Sequence, residues 1–203
     1  MAEGVSVSRE GRTLRNILVT GRPGCGKTTL VLKVVRELAA AGFKARGFVT
    51  EEMREGSSRV GFMVRDLAGE TAVLAHAARR VGPRVGKYGV DTRAFERVAL
   101  RALDTGDEDF DLLVVDEIGR MELCSDSFRS LLPGLFDSPL PLLATVQAGD
   151  NPLTRRLLER EDVRVHGLSV SNRDEIAGVI YEELLNLLAE DGVCADPEGG
   201  TEP

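Results

Sequence analysis

Residues 21–28 read Gly21-Arg22-Pro23-Gly24-Cys25-Gly26-Lys27-Thr28 and match the pattern G-x-x-x-x-G-K-[ST], which binds phosphate groups. Glycines let the backbone N–H groups of such a loop point inward around a phosphate, and the start of the following helix adds partial positive charge. The loop therefore predicts a nucleotide site. The nucleotide-binding residues that we predict are Gly21, Arg22, Pro23, Gly24, Cys25, Gly26, Lys27, Thr28 and Thr29.

The segments on either side of this loop have the patterns of a strand and a helix. Residues 16–20 form a short apolar run of the kind found in a buried parallel strand. From Lys27 onward, apolar residues recur at helical spacing as far as Leu38, and Gly42 ends the pattern. The pattern of a dinucleotide site, G-x-G-x-x-G, is excluded because Thr29 stands where its third glycine would be.

Strand and helix patterns alternate along the rest of the chain. The further strands are predicted near residues 45–50, 112–115, 142–146 and 163–168, and the further helices near 92–103, 127–135, 153–159 and 176–188. Two β-rich runs within residues 59–77 predict an antiparallel hairpin, whereas the glycine-rich segment 82–89 predicts a loop. We therefore predict an α/β fold of three layers, with a mostly parallel sheet, helices on both faces and one inserted hairpin.

The composition limits the classes of protein to which the chain can belong. It has 203 residues, with 42% hydrophobic and 29% charged residues and a net charge of −7. No apolar run approaches the ~20 residues that a membrane span needs. The acidic balance and the 4% aromatic content argue against a nucleic-acid partner. We predict a polar tail at residues 1–14, a single domain at 15–190 and an acidic tail at 191–203.

The cysteines indicate a reducing compartment. Cys25, Cys124 and Cys194 are odd in number and far apart, and with the chain's two histidines they form no zinc pattern. We therefore expect a cytoplasmic location, and we favour a monomer.

Two acidic residues follow the predicted strand at residues 112–115. Asp116 should emerge at the carboxyl end of this strand, where ligands bind in parallel sheets. We predict that Asp116 and Thr28 hold Mg²⁺, that Lys27 neutralises the β- and γ-phosphates, and that Glu117 accepts a proton from the attacking water or orients that water. This assignment makes Lys27 and Glu117 catalytic residues.

Residues 116–119 also fit the pattern D-x-x-G of switch GTPases, so a nucleotide-dependent switch is one alternative function. The guanine-recognition pattern N-K-x-D is absent, and the nearest string, at residues 171–174, lacks the lysine. The preference for a base stays open at this point.

With these motifs in place, the chain resembles the small thermophilic or cancer-related nucleoside-triphosphatase family, which is related to nucleotide kinases. The resemblance runs from about residue 16 to 180 and includes residues 47–56, 59–62, 82–90 and 116–122. It implies a P-loop NTPase that slowly hydrolyses ATP, GTP, CTP and UTP to diphosphate and phosphate, with Mg²⁺ and little base discrimination. Because the related fold includes kinases, a nucleoside, nucleotide or small-metabolite kinase is the other alternative.

Further candidates are residues with cationic or amide side chains. Arg84 is the first candidate for an additional catalytic cation, with Lys87 beside it, because both lie in the glycine-rich segment. Arg155 and Arg156 fit a solvated helix face better than a catalytic role. Gln147 stands where the resemblance leads us to expect an Ile-His type ending, and its amide could orient a water molecule.

Overall fold

The computed structural model describes residues 14–104, 106, 110–147 and 151–192. The predicted tails, except for residues 14, 191 and 192, lie outside these ranges. Residues 191 and 192 belong to the last helix, which therefore extends beyond the boundary that we predicted at residue 190.

Within the described residues, nine strands form a single mixed sheet in the order β5-β6-β4-β3-β2-β7-β8-β1-β9. The strands are β1 (Asn16–Gly21), β2 (Ala45–Glu55), β3 (Ser58–Asp66), β4 (Thr71–His76), β5 (Arg84–Val85), β6 (Tyr88–Val90), β7 (Leu112–Ile118), β8 (Leu142–Gln147) and β9 (Val163–Leu168). The five strands from β2 to β9 in this order pair in parallel, and the pairs beyond β2 are antiparallel. The mostly parallel core and the hairpin at 59–77, which is β3–β4, are confirmed.

Helices cover both faces of the sheet. They are α1 (Lys27–Ala40), α2 (Thr92–Ala102), α3 (Asp126–Phe136), α4 (Pro152–Leu158) and α5 (Arg173–Gly192), with one 3₁₀ turn at Glu122–Cys124. On one face, Phe95 of α2 and Phe128 of α3 pack against Phe48 of the sheet in edge-to-face contacts. On the other face, apolar residues of α1 and α5 form a second buried cluster with the sheet. The three-layer prediction is confirmed.

The antiparallel part of the sheet is larger than we predicted. β2 continues to Glu55, beyond the parallel strand expected at 45–50, and pairs with β3 along that extension. The segment 82–89, expected to be a loop, contains β5 and part of β6. The loop prediction is wrong because Tyr88 is 6% exposed and packs edge-to-face on Phe62, which holds this segment against the sheet.

None of the helices among the described residues has both the length and the apolar character that crossing a membrane requires.

Candidate functional site

The carboxyl ends of three neighbouring strands form the site. β1 pairs with β8, and β8 pairs with β7, in parallel. The chain leaves β1 at Gly21 and enters the phosphate-binding loop, while Asp116 and Gln147 lie at the same edge in β7 and β8. Ligands of open parallel sheets bind at this edge because the loops that follow the strands converge there.

The loop has the backbone that a phosphate cradle needs. Gly24 and Gly26 have φ angles of 77° and 104°, which side-chain-bearing residues rarely adopt. The helix α1 begins immediately afterwards at Lys27, so its free N–H groups face the loop. Of the predicted binding residues, Arg22, Pro23, Gly24 and Thr29 are exposed, whereas Cys25 and Lys27 are buried.

Lys27 connects the loop to the acidic pair. Its side chain is 8% exposed, and Nζ donates a hydrogen bond of 3.3 Å to the carbonyl oxygen of Gly21. The same Nζ lies 3.0 Å from Oε1 of Glu117. This contact is an ion pair without hydrogen-bond geometry, since that oxygen accepts no hydrogen bond. Two residues predicted to be catalytic, from separate parts of the sequence, are thus brought together.

Asp116 is fully buried, and one of its two carboxylate oxygens is unpartnered. Oδ1 accepts a hydrogen bond of 2.6 Å from the hydroxyl of Thr145 in β8, whereas Oδ2 has no hydrogen-bond partner. Burial raises the pKa of this carboxyl from 3.8 to about 6, and the hydroxyls of Thr145 and Thr28 oppose the shift by favouring the ionised form. A buried acceptor without a partner is costly unless a ligand completes it.

The residues around Oδ2 fit a hard divalent cation. The carboxylate of Asp116 and the hydroxyl of Thr28 face each other, and both are oxygen donors of the kind that Mg²⁺ takes. Within the part of the chain that the structure describes, no group of three or more His, Cys, Asp or Glu residues could hold a metal by itself. Mg²⁺ sites generally use one or two protein ligands together with substrate phosphates.

Sequence reasoning missed two polar residues of this site. Thr145 is fully buried in the apolar strand β8, and Glu122 is 4% exposed in the 3₁₀ turn after β7. A polar residue inside an apolar strand beside the acidic pair was the available signal for Thr145. The signal for Glu122 was weaker, because only the backbone turn after Ile118 brings its side chain back toward β7.

The other candidates are more distant from the loop or are already engaged. Arg84 lies in β5, at the opposite end of the sheet order from β1 and β9, and donates hydrogen bonds to the carbonyl oxygens of Arg79 and Lys87. Arg155 and Arg156 are exposed on α4. The amide oxygen of Gln147 accepts a hydrogen bond of 3.3 Å from the N–H group of Arg120.

A cation that the sequence did not single out lies beside the loop. Cδ of Arg173, the first residue of α5, is 3.9 Å from the position that a Cβ atom on Gly26 would occupy. β9 pairs with β1, which brings the start of α5 to the loop.

Comparison with known families decides the family of the chain. The model of a family described as NTPase matches residues 16–181, which include all the strands and the whole site. The chain belongs to this NTPase family.

Relatives of this NTPase carry the same description. A nucleoside-triphosphatase THEP1 from Thermotoga maritima is 42% identical over 168 residues, which are 83% of this chain and 94% of that protein. A second, from Thermofilum pendens, is 42% identical over 178 residues, which are 86% of this chain and 98% of that protein.

Two solved structures are similar to this NTPase. The crystal structure of THEP1 from Aquifex aeolicus superposes with a TM-score of 0.73 at 35% identity. The solution structure of a human cancer-related nucleoside triphosphatase superposes with a TM-score of 0.74 at 34% identity. Each comparison covers 85% of this chain and 98% of the other. The P-loop NTPase fold and the family resemblance seen in the sequence are therefore confirmed.

Proposed function

We propose that this NTPase hydrolyses nucleoside 5′-triphosphates to nucleoside diphosphates and phosphate, with Mg²⁺ and with little discrimination between bases. The observation that carries the proposal is the contact between buried Lys27 and Glu117, because it joins a phosphate-binding loop to a carboxylate that can act on water. The relatives from Thermotoga maritima and Thermofilum pendens are named nucleoside-triphosphatases.

The loop and Lys27 bind the phosphate groups. The N–H groups of Gly24 and of residues 26–28, with the N-terminus of α1, would supply hydrogen bonds and partial positive charge, and Nζ of Lys27 would supply a full charge. Thr29, exposed in the first turn of α1, would contact the α-phosphate. These groups favour the transition state because charge shifts onto oxygens that they already contact.

Asp116 and Thr28 would hold Mg²⁺ through the unpartnered Oδ2 and the facing hydroxyl. When bound, the ion neutralises negative charge on the β- and γ-phosphates. The hydrogen bond from Thr145 to Oδ1 fixes the carboxylate of Asp116.

Glu117 accepts the proton of the attacking water. The water oxygen attacks the γ-phosphorus while the bond from that phosphorus to the β,γ-bridging oxygen breaks, and the proton of the water passes to the Glu117 carboxylate. The products are nucleoside diphosphate and inorganic phosphate. The side chain of Glu117 is 24% exposed, so it is open to water while most of it is shielded.

An incoming triphosphate competes with Glu117 for Lys27. In the structure, the single ammonium group serves both the Gly21 carbonyl and the Glu117 carboxylate. When Lys27 turns to the phosphates, the Glu117 carboxylate loses its cation partner and is left to contact the attacking water.

The loop between β9 and α5 supports broad base specificity. Asn172, from the string nearest to the guanine pattern, accepts hydrogen bonds from the backbone N–H and the hydroxyl of Ser169 and donates one to the carbonyl of Gly167. Its amide oxygen and one of its two amide hydrogens are therefore engaged within its own loop, which leaves one donor for any contact with a base.

Two arginines are candidates for the additional cation that would stabilise the negative charge of the transition state. Arg84 would reach the loop only if the β5–β6 hairpin moved, whereas Arg173 already lies beside Gly26. Alanine variants of each, compared by kcat and KM, distinguish the two assignments. We also retain a monomeric state, a cytoplasmic location and a single domain from residue 15 as predictions, with the end of the domain moved from residue 190 to residue 192 to include the whole of α5.

The test is phosphate release from ATP, GTP, CTP and UTP, measured with and without Mg²⁺. We expect release from all four at similar kcat/KM, and its loss on chelation of Mg²⁺. The variant Lys27→Ala should lose at least about 100-fold in kcat/KM, while Lys33→Ala, in the same helix, should retain the wild-type value. Full activity of Lys27→Ala, or consumption of triphosphate only with an added phosphate acceptor, would overturn the proposal.

A further inference from the structure

The carboxyl group of Glu122 has no role in the reaction described above, yet it lies inside the site. The residue is 4% exposed and begins the 3₁₀ turn that follows β7. Carboxyl groups are almost never buried to this extent unless they are paired, hydrogen-bonded or neutral. Its position therefore requires an explanation.

Gly119 brings Glu122 and Glu117 together. A Cβ atom added to Gly119 would be 2.8 Å from Oε2 of Glu122 and 3.2 Å from Oε2 of Glu117. Both distances are measured from the same position, that of the added Cβ atom. The two carboxyl oxygens are therefore no farther apart than the sum of these two distances. The absence of a side chain at Gly119 thus leaves a space that both carboxyl groups border.

The charges around this pair differ for the two residues. Glu117 has Lys27 at 3.0 Å, whereas no ion pair within the described ranges involves Glu122. Burial raises the pKa of Glu122 from 4.5 to about 8, the charges of Glu117 and Asp116 raise it further, and the N–H groups of Glu122 and Gly119 oppose this. Two neighbouring carboxyl groups in a shielded site favour a state in which only one is ionised.

None of the ion pairs among the described residues joins a cation to Glu122, and Arg120, which precedes the turn, is exposed. Cys124, in the same turn, has its pKa raised by burial and by the charge of Glu122. On α3, Arg129 donates to the carbonyl oxygen of Leu123 and pairs with Asp126. On α2, Glu96 accepts a hydrogen bond from the hydroxyl of Ser125. The proton is therefore assigned to Glu122 and the negative charge to Glu117.

We propose that Glu122 is a positioning residue for Glu117: its neutral carboxyl, packed against Gly119, donates a hydrogen bond to the Glu117 carboxylate and holds it toward the attacking water. The inference rests on the proposed role of Glu117 as the proton acceptor.

Two substitutions separate this role from a structural one. Glu122→Gln keeps the shape and supplies an N–H donor at every pH, whereas Glu122→Leu fills the space but donates nothing. We expect Glu122→Gln to retain kcat within about 3-fold, and Glu122→Leu to lose about 10- to 100-fold in kcat with an unchanged KM. Glu182→Gln, on the exposed face of α5, is the matched control.

The pH profile provides a readout that a purely structural residue would not change. The wild-type kcat should fall above about pH 8, because ionised Glu122 repels Glu117, and the Glu122→Gln profile should lack that fall. Identical profiles, full activity of Glu122→Leu, or equal losses in the Leu and Gln variants would overturn the inference. If Glu122→Leu does not fold, the comparison of the wild-type and Glu122→Gln pH profiles still tests the inference.

A double variant distinguishes failure of the inference from failure of the proposed function. If Glu122 acts through Glu117, adding Glu122→Leu to Glu117→Gln should cause less than about a 2-fold further loss. A fully additive loss would contradict a positioning role. Full turnover by Glu117→Gln alone would instead contradict the proposed function itself.

Discussion

Replacing Asp116 by asparagine is expected to stabilise the protein in the absence of Mg²⁺ while abolishing its activity. The carboxyl is fully buried, and burial raises its pKa from 3.8 to about 6. Asparagine retains an oxygen for the hydrogen bond from Thr145, and its amide nitrogen takes the place of Oδ2, which has no partner to lose. The substitution therefore removes a buried charge while keeping the hydrogen bond from Thr145.

The magnitude and its pH dependence follow from the two pKa values. The folded-state pKa of Asp116 lies above its unfolded-state value. The contribution of this carboxyl to the free energy of unfolding is therefore fully present below about pH 4 and is lost as the pH rises through about 6. At about 1.4 kcal/mol per pKa unit, the loss amounts to about 3 kcal/mol. The advantage of Asp116→Asn should thus be near zero at low pH and reach about 3 kcal/mol at neutral pH.

Urea unfolding followed by far-UV circular dichroism, at a series of pH values with a chelator present, measures this difference. Added Mg²⁺ should stabilise the wild type but not the variant, so it should narrow the gap. Phosphate release by the variant should be at background level. An Asp116→Asn protein that is less stable than the wild type at neutral pH, or a difference that does not change with pH, would refute the reasoning.

Three further substitutions test separate parts of the structure. Thr145→Val removes the 2.6 Å hydrogen bond to Asp116 and should lower kcat about 10-fold, whereas Thr145→Ser should retain most of the activity. Gly119→Ala places a methyl group 2.8 Å from Oε2 of Glu122, so it should lower kcat with little effect on KM, which steady-state kinetics would reveal. Arg160→Ala removes ion pairs with Asp162 and Asp137 and should cost about 1–3 kcal/mol in urea unfolding while phosphate release stays unchanged.

The core of the fold was predictable because its signals are local. The apolar runs of β1, β7 and β8 are short and continuous, as in parallel strands buried on both faces, and each was predicted from its own residues. The antiparallel part was less predictable. Whether residues 84–90 form strands depends on the contact of Tyr88 with Phe62, which lies in another strand and leaves no local pattern.

The same distinction applies to the site. The loop and the acidic pair follow strict spacings, because phosphate and metal chemistry fix the residue types that can occupy these positions. Glu122, by contrast, reaches Glu117 only because the chain turns after Ile118 and because Gly119 leaves room for both carboxyl groups. Such proximity arises from the backbone path and not from residue spacing.

Glu117→Gln tests the central claim most directly, with single-turnover phosphate release and nucleotide binding measured on the same protein. The substitution keeps the size of the side chain and removes its capacity to accept a proton. We expect ATP to bind at least as tightly as to the wild type, since the ion pair that competes for Lys27 is gone, while the rate of phosphate release falls at least about 100-fold. Release at the wild-type rate would contradict the assignment of Glu117 as the proton acceptor.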